Sequence, residues 1–189
     1  MQYGDQSATS HTTANNFATS KLIADNLAAL QQALDLLERF DDAQFNQTNG
    51  ALALSSIGSH LRHCLDFYQC FLTGMAKGRI NYDQRARDER VETNRLFAVA
   101  KIKAMIEGLS QLPATVERRE VEVLLEGSAE PANVAEWSHS SVKRELQFLL
   151  SHTIHHYSLI AVSLRAQGFE PGTSFGVAPS TLQYWRRKG

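Results

Sequence analysis

Cysteine is scarce in this chain: Cys64 and Cys70 are the only two among 189 residues. Six residues apart on one predicted helix, they cannot readily bridge each other, and they form no CxxC pair. A disulfide framework is therefore excluded, and both are expected as reduced core residues. Long apolar runs are missing as well, since none approaches the ~20 residues that a membrane-spanning helix needs. The first residues, MQYGDQSATSHTTANN, lack both the basic start and the apolar centre of a secretion signal. A cytoplasmic location without a membrane partner is the expectation. Nor does one sign of charge prevail. A formal net charge of -1 gives no electrostatic case for wrapping a polyanion, because affinity for phosphates scales with the cations that neutralise them. Gly-rich phosphate loops, a GxSxG elbow and an HExxH helix are absent too. Their absence removes the simplest routes to nucleotide hydrolysis, serine esterase and zincin chemistry.

What remains is an ordinary globular composition, 43% hydrophobic and 21% charged, in a chain long enough for one domain with a sizeable core. The polar residues 1–17, which include His11, read as a mobile tail. From Ser20 to Phe40, Leu22, Ile23, Leu27, Leu30, Leu34 and Leu37 recur at three- and four-residue steps and predict an amphipathic helix. DDAQFNQTNG then reads as a loop. A second helix starts at Ser55 or Ser56 and runs to the glycines at 74 and 78, apolar on most sides. The charged stretch RINYDQRARDERVETN reads as a loop into a third helix that takes in Leu96 to Leu109 and stops before Pro113. Val-Glu alternation between Thr115 and Leu125 predicts a short two-stranded excursion. Ser138, Ser140 or Ser141 caps a long fourth helix reaching Ala166, with Leu146, Leu150, Thr153, Tyr157, Ile160 and Leu164 as its seam. Residues 169–189 form a Gly/Pro-punctuated segment whose Phe175, Tyr184 and Trp185 predict docking.

Histidine is the unusual count. Of seven, five fall in two clusters, His60 with His63 and His152 with His155 and His156. Two histidines four apart on a helix project from one face about one turn apart, and a divalent ion such as Zn²⁺ takes neutral imidazole nitrogens. His152 and His156 have that spacing, beside the predicted seam. A third ligand must come from another helix, and the second helix offers His60 and His63. Three such ligands leave coordination positions for water or substrate. The competing reading is chance spacing. Cys64 beside His63 is no nucleophilic pair, since neighbouring helical residues point ~100° apart.

SIGSHLRHCLDFYQCFL resembles the second-helix segment of the DinB/YfiT-like family, and SHTIHHYSLIAVSLRAQG resembles its last-helix segment. The resemblance covers roughly residues 18–168. It implies an all-α four-helix bundle, with the β-hairpin excursion between helices three and four, holding a metal ion through His63, His152 and His156. The periodicity of the second helix, through Ile57, Leu61, Cys64, Tyr68 and Phe71, instead sets His60 nearer the core, so His60 stays as the alternative ligand. His155 and Tyr157 are candidates for an outer role, and Asp66 for lining or orienting the site. Many relatives carry a Gly-Gln pair two residues after the last histidine; here Ser158-Leu159 stands there, so no glutamine role carries over.

The function expected from this likeness is a metal-dependent enzyme of thiol-dependent transferase, isomerase or hydrolase type. Its partners would be a small-molecule substrate, a low-molecular-weight thiol and a second copy of the chain as a homodimer. Three imidazoles suit Zn or Ni before Fe or Cu. A non-catalytic metal-binding stress-response protein is the alternative. A regulator contacting DNA through GVAPSTLQYWRRKG ranks below both, because the charge is balanced and no second basic helix accompanies it.

Overall fold

In the computed structural model, residues 20–47, 55–124 and 136–189 are described. The tail at 1–17, His11, and the 125–135 stretch with Pro131 lie outside them. The described chain is mostly helical with one three-stranded sheet.

Four long helices form where the sequence combines a capping side chain with helical apolar spacing. Ser20 accepts from the Ile23 N–H and starts α1 (Lys21–Glu38), and Ser56 does the same for Ser59 in α3 (Ile57–Met75). Asn94 caps α5 (Arg95–Ser110) and Ser141 caps α6 (Val142–Ala166). Both α1 and α3 pack against α5 and α6, and the enclosed core includes Leu30, Leu37, Tyr68, Phe71, Ile102, Leu146, Leu149 and Ile160. Each such side chain contributes about 1.5–3 kcal/mol relative to exposure.

Shorter elements depart from expectation. DDAQFNQTNG is not loop throughout: Asp41 and Gln44 make a reciprocal capping box for α2 (Asp42–Asn46), which buries Phe45. Two apolar residues in five, Ala43 and Phe45, give no period to read. Within the charged stretch expected as a loop lie β1 (Arg79–Asn81) and α4 (Glu89–Thr93). The excursion between helices three and four is also different. Residues Ala114–Arg118 form a 3₁₀ turn, and β2 (Glu120–Leu124) pairs in parallel with β1 and antiparallel with β3 (Ser138–Ser141). A parallel partner needs a crossover, here supplied by α4 and α5. Because β3 ends on Ser141, the sheet feeds directly into the capped start of α6.

Two close approaches lock the helices. Gly58 lies where a Cβ would sit 2.0 Å from the Glu92 carbonyl oxygen, which lets α4 rest on the first turn of α3. Gly176, at φ +70°, meets the backbone of Tyr157 and Ser158 on α6. The C-terminal segment docks there through Phe175, stacked on Tyr157 at 4.9 Å, and through the Ser158 hydroxyl donating to the Gly176 carbonyl. Tyr184 and Trp185 in α7 (Pro179–Lys188) are 53% and 50% exposed, so the expected docking does not run through them. Leu150 also leaves the predicted seam: it is half-buried, and Leu149 is fully buried in its stead.

A buried polar network ties α1, α3 and α6. The Asn26 amide donates to the Leu146 carbonyl at 3.1 Å and accepts from the Tyr68 hydroxyl at 2.8 Å, while Thr153 lies 3.5 Å from that hydroxyl. Asn26→Ala leaves the Tyr68 hydroxyl proton without its acceptor, and is expected to cost about 1–3 kcal/mol. Urea unfolding should show a lower midpoint at unchanged slope.

Candidate metal centre

Four histidines meet between α3 and α6. His60 lies opposite His156 and His63 opposite His152, so as one helix advances the other retreats and the pair is antiparallel. Three- and four-residue spacings put His60 with His63, and His152 with His156, on facing stripes.

His63 Nε2 and His156 Nε2 each lie 3.1 Å from His152 Nε2. The donor nitrogens of His63, His152 and His156 all lie within 4.8 Å of one another. On the far side of its ring, His156 Nδ1 is 2.9 Å from His60 Nδ1. All four rings are half-buried. A neutral imidazole nitrogen offers either one proton or one lone pair. His152 Nε2 therefore cannot satisfy both neighbours with a proton, whereas a cation among the three nitrogens satisfies every lone pair. Nitrogens about 2.0–2.1 Å from a common ion stand roughly 3 Å apart at closest, which matches the two short separations. The donor set fits a divalent transition ion.

Electrostatics agree. Burial, reinforced by Arg85, His60 and Arg62, lowers His63 to about 4. Burial, then His63, His155 and Arg85, lowers His152 to about 4. Burial followed by the surrounding imidazoles brings His156 to about 3, and His60 is lowered chiefly by burial. At neutral pH the rings are unprotonated, the form that binds metal. His152 Nδ1 and His60 Nε2 are buried without a hydrogen-bond partner.

Aromatic rings wall one side. Phe67 lies 4.5 Å from His152 and 5.0 Å from His63, and Phe148 stacks on His152 at 5.5 Å and 15°. Behind them Tyr82 stacks on Phe67 and donates at 2.8 Å to the fully buried Glu145 carboxylate, which also accepts from Ser140. Arg85 lies over the Phe67 ring at 4.9 Å and Arg144 over Phe148 at 5.3 Å.

The remaining sequence candidates lie elsewhere. His155 is exposed and touches only the edge of the cluster, against His156. Tyr157 is in the core against Phe175. Asp66 accepts from the Arg87 N–H at 3.2 Å, so it pins the loop after β1 rather than an imidazole. Burial lifts the Cys64 thiol to about 12, leaving it inert. Arg85, Phe67 and Phe148 were not among the sequence candidates. A separate groove of about 660 Å³ between α1, α6 and α7, lined by Asp25, Gln32, Ile154 and Arg186 among others, contains no histidine.

Below the ordinary histidine value of 6.5 the unfolded chain takes up protons that the folded rings refuse. The stability contributed by these rings is thus full above pH 6.5 and is lost as pH falls toward about 4. The metal-free protein should show a urea midpoint that declines across this window, with a shallower decline in His152→Ala. A midpoint flat from pH 7 to 4.5 would contradict the lowered values.

A family model described as "DinB family" matches residues 11–186. FK506-binding protein 5 of Rhizopus delemar is 27% identical over 168 residues, which cover 86% of this chain and 37% of that protein. The chain thus spans little more than a third of that relative's length. No solved structure matches it.

Proposed function

The chain belongs to the DinB family, and on that premise we propose that it is a metal-dependent enzyme whose divalent ion is held by His63, His152 and His156. The reading rests above all on one observation, the convergence of three imidazole nitrogens from two facing helices. It takes the four long helices as a DinB-like four-helix bundle and the reaction as a thiol-dependent transfer, isomerisation or hydrolysis.

When bound, the ion supplies a Lewis acid that lowers the pKa of water or a thiol beside it. The chain's own residues prepare the place. With its Nδ1 proton donated to His60 Nδ1, His156 keeps a bare Nε2 facing the other two rings. The opposite tautomer would put a proton on that nitrogen, so His60 acts by holding His156 in the ligating form. Phe67 and Phe148 fix the plane of His152 and keep water from that side.

Protein purified without added metal should carry one equivalent of a first-row ion by elemental analysis, and His152→Ala should carry none while keeping its helical circular dichroism. Equal metal content in both would overturn the proposal. His60→Ala is expected to retain the site but to weaken metal affinity about 10–100-fold in chelator competition.

A further inference from the structure

Beyond the neutral imidazoles themselves, the charges that act on the histidine cluster are those of two arginines. Arg85 acts on His63 and His152, Arg62 acts on His63, and the rest are imidazoles. Arg62 is matched by Glu92 at 3.0 Å. Arg144 is engaged by the buried Glu145 carboxylate at 3.3 Å. Arg85 acts on the Asp66 carboxylate of α3 as well as on the histidines. Its guanidinium lies on the same Phe67 ring against which His63 and His152 pack.

The loop bearing Arg85 is fastened at both ends. Asn81 Oδ1 accepts from the Asp83 and Gln84 N–H groups at 2.9 and 3.2 Å. Asp66 of α3 accepts from the N–H of Arg87, which holds φ +50°. A non-glycine residue in the left-handed region costs conformational energy that the fold must offset. The result is a guanidinium carried to the edge of the histidine cluster by a braced loop, not by a free side chain on a helix face.

From this arrangement we infer that the site takes a small substrate bearing a carboxylate, which Arg85 pairs with while the substrate's reacting end lies at the three histidines. The inference rests on the metal reading above. Three neutral imidazoles bring no negative charge to a divalent ion, and Arg85 adds a further positive charge at the rim. Half-buried groups with that sum of charge attract anions and favour those that place charge between ion and guanidinium. The planar guanidinium fork matches a carboxylate in bidentate fashion. Phe67 offers the adjoining carbon chain an apolar surface.

Butyrate and butyramide are the probes, isosteric but differing in charge, titrated by calorimetry into the Zn-loaded protein. Zinc content is measured on each sample. Wild type is expected to bind butyrate and to bind butyramide far more weakly. Arg85→Gln should keep full zinc and lose at least about tenfold in butyrate affinity, with butyramide unchanged. Arg85→Lys, which keeps charge without the fork, should recover part of the loss. Equal butyrate affinity in wild type and Arg85→Gln at full zinc would overturn this inference and leave the metal site standing. Failure of wild type to hold zinc would overturn the metal reading and this inference together.

Discussion

Everything in this structure is arranged around an arrangement of lone pairs that water would normally disperse. Half-buried imidazole nitrogens about 3 Å apart repel one another if protonated and leave electron pairs facing if not. Such a cluster persists only because the helices that carry it are fixed by other forces. Those forces are ordinary ones: apolar contacts among α1, α3, α5 and α6, and the Asn26–Tyr68–Thr153 network that spans three of them. The network sits beside the histidines in sequence, with Thr153 following His152 and Tyr68 following Phe67. The same turns of helix that set the core therefore set the donor nitrogens.

The sheet has a part in this out of proportion to its size. By delivering Ser141 to the first turn of α6, β3 determines where that helix begins, and hence the height at which His152 and His156 face α3. Its Ser140 and the Tyr82 hydroxyl also neutralise the burial cost of Glu145, a carboxylate that unpaired would be strongly destabilising. Tyr82 in turn backs Phe67. The short strands thus reach the histidine cluster through a stack of aromatic rings.

Much of this was legible in the residues, and the failures are instructive. The four long helices announced themselves by apolar spacing, and serine caps were legible for two of them, as Ser55 or Ser56 and as Ser138, Ser140 or Ser141, of which the structure uses Ser56 and Ser141. The sheet did not, because β1 has a single apolar residue, Ile80, and β3 reads Ser-His-Ser-Ser. Only β2 carries alternation, and its partners come from both sides of the chain. Choosing between His60 and His63 by periodicity was unproductive for a physical reason. Residues three apart share a helix face, and both rings reach α6, one to each histidine there. Arg85 was hidden in a run of charges whose only visible property was polarity. Its position over Phe67 exists through space alone.

The bond from Asp66 to Arg87 joins the Arg85 loop to the helix that bears His63. Guanidinium and imidazole are consequently carried by one helix and the loop pinned to it, while His152 and His156 are carried by α6. The same loop is also tied to α6, because Tyr82 at its start donates to Glu145 there. Braced to both helices, the loop fixes the rim against the floor of the cluster from two sides.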